Sequence, residues 1–400
     1  MNEIEISNGA LVRTWLPPGE IEPGAMEQIV NSARHPEVAD AIAIMPDCHV
    51  GYGVTIGCVF PTINAVVPNA VGVDIGCGMS AINTGVRLDE RRFDRQFWRA
   101  WSGDVQRNIP TGFAGNRTPA RLERLDRPLR ATELQSLVRD KAPAQLGTLG
   151  GGNHFLEAQV DEAGTVWFMV HSGSRHTGLR IANHYHTLAV ANSQARGLDV
   201  GRDLSSLPLD DQVGQDYLVD MTWAAEFALE SRLRMVRGLV QIFADRIERL
   251  GILINPEALP VINIPHNVAG LEMHGGRTVM VHRKGATSAN LDEMGIIPGS
   301  MGSPSYIVRG RGNPLSFNSC SHGAGRRMGR KRAKEQITQS DFERSLQNTF
   351  SKASMTYVDE APGAYKPIET VIERQQDLVE IVHTLRPIIT VKGDSKARED

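Results

Sequence analysis

Residues 316–334 read SFNSCSHGAGRRMGRKRAK, and the rest of the 400-residue chain is organised to serve them. A short polar strand or turn passes through Cys320, Ser321 and His322 into Gly323-Ala324-Gly325. It ends in six Arg or Lys within residues 326–334. Glycines lack side chains, so a ligand can come close to the backbone N–H groups. A helix starting near Gly325 adds unsatisfied donors and a partial positive charge at its N-terminus. His322 stands beside this nest, placed to act as base, ligand or nucleophile. The stretch suits a phosphate-bearing ligand. Alone it is a short motif, since a His before a glycine turn is commonly a turn residue and a basic run a solvated face.

The totals set bounds. The chain is 41 % hydrophobic and 22 % charged, as expected for a globular protein with length enough for a large core. The net charge of −3 rules out global basicity, so any polyanion must meet a local patch. Four cysteines (Cys48, Cys58, Cys77, Cys320) are too few and scattered for a disulfide scaffold. No apolar run reaches the roughly 18 residues of a membrane span. The polar start MNEIEISNGA is not a signal peptide, so the expected setting is cytoplasmic, with no membrane.

Outward from the glycine nest, the pattern predicts helices over 22–33, 88–107, 132–141, 179–196, 211–250 and 368–385. A further helix should be opened by a capping box at Ser340. Strands are predicted over 41–45, 54–60, 79–86, 154–160, 165–170, 261–265, 278–282, 305–309 and 388–392, with a strand edge along 70–79. GIIPGSMG (295–302) reads as a turn. Residues 108–130 hold three Pro and five Arg from Arg117 to Arg130, and read as a mobile basic loop. Strands do not alternate regularly with helices. The expected fold is therefore α+β, one large domain over 1–400 of mixed sheets with flanking helices.

The reactive residues recur in one context, a short apolar strand followed by a polar or glycine turn. Asp74 and Cys77 come from one such place, His154, His171 and His266 from three others. Carboxylate, thiolate and imidazoles suit a divalent transition metal, Mn, Fe, Co or Zn rather than Mg or Ca. Any one of these histidines is more simply a core or turn residue. Five such residues, Asp74 and Cys77 included, all at strand ends beside glycines, are not, although spacing alone does not name the metal.

The motifs, taken in order, resemble those of the RtcB RNA ligases. They are MPDCHVGYG (45–53), VGVDIGCGM (71–79), LGTLGGGNHFLE (146–157), HSGSR (171–175), PHN (265–267), RKGA (283–286), GIIPGSMG (295–302), CSHGAGR (320–326) and VKG (391–393). The resemblance implies a GTP-dependent enzyme that joins RNA ends carrying a 2′,3′-cyclic phosphate or 3′-phosphate to 5′-hydroxyl ends. It also implies two Mn²⁺ ions, one on Asp74, Cys77 and His154, the other on Cys77, His171 and His266, with His322 carrying GMP. Guanylate contacts are implied for Asn153, His154, Phe155, Leu156, Glu157, His266, Asn267, Pro298, Gly299, Ser300, Met301, Ser305, His322, Gly323, Ala324, Gly325 and Lys392. Asp47, Arg175, Lys284, Arg326 and Arg330 match positions that serve the RNA ends or later steps, and archease is an implied candidate partner. Residues 394–400 extend past the terminal Lys-Gly where such chains commonly stop. The rival readings are an RNA-binding protein that keeps the metal site and a metal-dependent phosphoesterase.

Overall fold

The computed structural model describes residues 1–121 and 125–393. Two sheets carry the fold. The first has six strands in the order Asn2–Ile4, Leu11–Thr14, Ala41–His49, Ile56–Thr62, Arg277–Lys284 and Asn267–His274. The second has seven: Val261–Pro265, Gly78–Arg87, Thr165–Ser172, Phe155–Val160, Val379–Lys392, Ser305–Gly310 and Met294–Ile297. With helices against both, the fold is α+β, as expected.

The helix Gln212–Ile247 is the main support of the second sheet. Its sequence has no Pro, and apolar residues return every three or four positions, so one stripe is buried. Met235, Val236, Leu239, Val240 and Phe243 pack with Trp98, Trp101, Leu156, Phe168 and Val170 into one core. Among the described residues no helix is long and apolar enough to cross a membrane.

The second sheet explains how sequence-distant residues meet. In four adjacent strands, Pro265 is opposite Gly78, Gly78 opposite Ser172, and His171 opposite Phe155. Cys77 precedes the strand Gly78–Arg87, His154 precedes Phe155–Val160, His266 follows Val261–Pro265, and His171 lies within Thr165–Ser172. All four therefore arrive at one end of one sheet.

Several sequence expectations need correction. Residues 368–385 are not one helix. Ile368–Glu373 is helical, and Val379–Lys392 is a 14-residue strand. Val379, Ile381, Val382 and Thr384 are β-branched and lose rotamer freedom in a helix. Their backbone is satisfied instead by Ser305–Gly310 and then by Phe155–Val160, with a register shift after Pro387. The helix predicted over 88–107 begins only at Arg95, where the Asp94 side chain accepts from Phe97 N. Residues 70–79 start as the end of a short helix, Pro68–Val71, and become strand only from Gly78. The expected turn at 295–302 begins as the strand Met294–Ile297. The helix near 340 is capped by Thr338, which accepts from Asp341 N, rather than by Ser340. The strand Asn267–His274 escaped prediction; it forms a hairpin with Arg277–Lys284 through Gly275-Gly276, both at positive φ, as such tight turns require.

The 108–130 segment, expected as a mobile basic loop, is anchored to the body of the fold. Gly112 N donates to Gly150 O and Leu149 N to Pro110 O, which lays the loop's start on the glycine loop. Leu125 and Leu129 are buried beside Trp223, whose indole N–H donates to Leu125 O. Arg127 pairs with Glu226 at 2.7 Å. Arg117 and Arg121 are exposed; Arg124 lies outside the described residues, as does the 394–400 extension.

Candidate active site

A cavity of about 910 Å³ opens where the two sheets meet, lined by Asp74, Cys77, His154, His171, His266 and His322 among others. The metal-ligand candidates converge at its floor. The Cys77 thiol Sγ is 3.5 Å from His154 Nε2 and 3.3 Å from His171 Nε2. His171 Nε2 is 3.3 Å from His266 Nε2, and His154 Nε2 is 3.1 Å from Asp74 Oδ2. Cys77, His154 and His171 alone offer three ligand atoms within 4.8 Å of one another.

The local chemistry fits a cation. His154 Nδ1 lies 3.0 Å from Leu149 O, which fixes the ring with Nε2 turned toward the cluster. Burial, reinforced by neighbouring imidazoles, holds His171 and His266 well below the usual histidine range, so both are neutral and competent to ligate. Burial works against the Asp74 carboxylate, yet His154 outweighs it and holds the group below the ordinary carboxylate range. Burial and then Asp74 push the Cys77 thiol up, an ordering that a bound divalent ion reverses.

Behind the floor sits Arg232, fully buried in the long helix and unforeseen from sequence. Its Nη1 donates to Gly76 O at 2.6 Å and Ser172 O at 3.0 Å, and its Nε to Asn263 Oδ1 at 2.9 Å. One guanidinium thus ties together the three segments that carry Cys77, His171 and His266. Asn267 does similar work, donating to Asp74 O at 3.2 Å and accepting from Gly285 N at 2.9 Å.

His322 closes a short strand, Ser319–Ser321, paired with Ala286–Ser288. Its Nδ1 is 2.6 Å from Asp47 Oδ2, which also accepts from His322 N at 3.2 Å. Asp47 is fully buried behind the cavity wall. It therefore orients the imidazole through Nδ1, so that Nε2 is the ring nitrogen Asp47 does not engage, a role the sequence reading did not assign. The His322 ring lies 4.9 Å from the His266 ring, centroid to centroid. Gly325, at φ +71°, passes so close to Asp47 that a Cβ there would be 2.1 Å from Asp47 O. Only glycine fits. The expected helix does not start here: it spans Arg330–Gln336, so the nest next to His322 is made by the turn itself.

Most of the predicted nucleotide contacts line the cavity: Asn153, Phe155, Glu157, Asn267, Pro298 to Met301, Gly323 to Gly325 and Lys392. Leu156 does not, because strand alternation turns it into the core. Ser305 sits one layer back, where its Oγ accepts from Gly299 N at 3.2 Å and from Gln159 at 3.1 Å. Arg175 is buried at φ +59° and donates to Thr148 Oγ1 at 3.2 Å and Gly112 O at 2.6 Å. Lys284 is buried against Tyr52 O and Asn69 O, and burial brings its ammonium down to about 8. Arg326 precedes the helix instead of sharing it with Arg330, and both are engaged by Glu360.

Burial raises the Glu157 carboxyl to about 7 from an ordinary 4.5, despite hydrogen bonds from Thr390 and Gln159 and the charge of Lys392. Between these values the unfolded chain releases the proton and the folded chain keeps it, so this group makes stability fall as pH rises through that window. Glu157→Gln is expected to gain stability on wild type as pH rises from about 4.5 to 7, by about 1 kcal/mol per pH unit, and to gain no more above that. Denaturant midpoints of the two proteins across that range check it; a constant difference contradicts the assignment.

Sheet ends that gather a thiol and three imidazoles, with a carboxylate-oriented histidine beside them, define a class of α+β protein with a buried group that could hold a metal ion. A family model described as tRNA-splicing ligase RtcB matches residues 28–133 and 127–393. The RNA-splicing ligase RtcB of Escherichia coli K12 is 37 % identical over 412 residues, covering 98 % of this chain and 99 % of that one. The tRNA-splicing ligase RtcB of Thermococcus kodakarensis is 31 % identical, covering 92 % and 91 %. The chain belongs to the RtcB family.

Proposed function

We propose that this protein is an RNA ligase that uses GTP and two Mn²⁺ ions to join a 2′,3′-cyclic phosphate or 3′-phosphate RNA end to a 5′-hydroxyl end. The observation that carries the reading is the 2.6 Å contact of Asp47 with His322 Nδ1, next to the Cys77, His154, His171 and His266 cluster. Asp74, Cys77 and His154 would hold one ion, and Cys77, His171 and His266 the other. The ions, when bound, neutralise phosphate charge as each phosphoryl bond is exchanged.

The residues then have defined tasks. His322 Nε2 attacks the α-phosphorus of GTP, a P–N bond forms, and pyrophosphate departs. Water opens the cyclic phosphate at its 2′ oxygen, leaving a 3′-phosphate. An oxygen of that phosphate takes the guanylate from His322, and the imidazole is regenerated. The 5′-hydroxyl oxygen then attacks the RNA 3′-phosphorus, releasing GMP as its proton is lost. Asp47 keeps the His322 ring in register throughout, and the turn 323–325 offers backbone donors to the phosphate.

GTP labelled in the α-phosphate, supplied with Mn²⁺, tests the reading. Acid-labile label on the protein is expected. Its absence would leave a hydrolase or an RNA-binding protein. The exposed Arg117 and Arg121, with Arg124, are expected to add backbone contacts to RNA. Neutralising all three should lower the salt slope of binding by about 0.7 per lost contact with a single strand. RNA titrations at several salt concentrations read this, and an unchanged slope removes the loop from RNA binding.

A further inference from the structure

We propose that Glu360 is the positioning residue of the cavity's phosphate wall, a single buried carboxylate that places Arg326, Arg330 and Lys392 before any nucleotide arrives. The inference rests on the nucleotide reading above and deepens it. Glu360 ends the 3₁₀ stretch Met355–Glu360, in a segment, DEAPGAY (359–365), that carries no sequence signal beyond a loop. Its Oε1 is 2.7 Å from Arg330 Nη1 and 3.4 Å from Arg326 Nη1. Its Oε2 accepts from Lys392 Nζ at 2.9 Å and from the Tyr365 hydroxyl at 2.9 Å. All five residues line the cavity.

These cations come from two distant parts of the chain, the basic turn after His322 and the end of the last strand. Nothing local places them together. Asp359 assists, with Oδ2 at 3.1 Å from Arg330 and its carbonyl accepting from Arg326 Nη2 at 2.7 Å. The Arg326 guanidinium also lies 4.9 Å over the Tyr365 ring. Lys392 Nζ reaches Asn153 O at 3.4 Å, one residue before His154. Glu360 therefore connects the basic turn to the metal-bearing loop. Burial disfavours its ionised form, yet Lys392, Arg330 and Arg326 bring the carboxyl down to about 2.

With Lys334, whose Nζ is 3.7 Å from Asp359 Oδ1, four cations against Glu360 and Asp359 leave two positive charges in excess. A phosphate is still attracted, while the long side chains have already lost their rotamer freedom. Geometry fixed in advance acts on the rate of phosphoryl transfer more than on affinity. Removing the Glu360 charge should raise anion attraction and loosen the geometry together.

The test compares Glu360→Gln and Glu360→Asp with wild type for GTP labelling, RNA salt slope, melting temperature and metal content. The Gln variant is expected to label at least about tenfold more slowly at saturating GTP, with no rise in the half-saturating concentration and a steeper salt slope. The Asp variant keeps the charge but withdraws it, so the rate falls while the salt slope stays as in wild type. A folded, metal-loaded Gln variant with wild-type rate and slope overturns the proposal. So does a rate loss that only tracks lost folded protein. Should the Gln variant fail to fold, a wild-type rate in the Asp variant overturns it instead. A wild-type protein that takes no label refutes the nucleotide reading itself, a result distinct from any variant matching a labelling wild type.

Discussion

His322→Ala is expected to reduce retention of α-phosphate label from GTP to background while Mn²⁺ content stays at the wild-type level. The expectation follows from geometry. His322 is not among the five converging ligand side chains, and its ring faces His266 without sharing the Cys77 Sγ contacts. Asp47→Asn is the sharper companion. The buried Asp47 carboxylate accepts from both the ring and the backbone N–H of His322, and an amide there can present a donor to Nδ1 and favour the wrong tautomer. A loss of about 10²- to 10⁴-fold in labelling rate is expected, on the precedent of a histidine that loses its orienting carboxylate. Undiminished labelling in His322→Ala would remove the histidine from the chemistry. Undiminished labelling in Asp47→Asn alone would leave the nucleophile but strip Asp47 of its orienting role.

Cys77→Ser is expected to weaken both metal sites, and to cost more activity than loss of His171 or His266 alone. The thiol lies within 3.5 Å of both His154 Nε2 and His171 Nε2, so it lies between the two proposed sets. A serine hydroxyl keeps the shape but does not ionise as a thiolate does beside a cation. Changes beyond the ligand shell commonly cost 10- to 100-fold in metal affinity, so losing a shared ligand should cost at least about 100-fold for each ion. Metal per chain, measured on purified variants, decides the matter. Loss of a single ion in Cys77→Ser refutes bridging.

Much of the site could be read from the chain because glycine and short apolar runs are local signals. The predicted strands over 154–160 and 261–265 and the helix over 211–250 all rest on spacing within a few residues. Each of them reappears in the structure, with ends shifted by a few residues at most. The failures have the same origin. Residues 379–385 read as the end of a helix because their apolar spacing is ambiguous, and only the flanking strands on either side settle the matter. The loop at 108–130 looked detached because its anchors, Gly150, Trp223 and Glu226, are between about 40 and 100 residues away.

Residue type and order were enough to identify the reactive groups and the family motifs that hold them. Which groups touch was settled by sheet order and by the long helix. The Asp47–His322 contact spans 275 residues, the Arg232–Gly76 bond 156, and the Glu360–Lys392 bond 32. Periodicity reports which face a residue presents; it carries no information on what lies opposite. A buried carboxylate finds its partner only when desolvation forces every charge in the core to be matched. That matching turned Asp47 into the support of His322, and made Glu360 the centre of three cations.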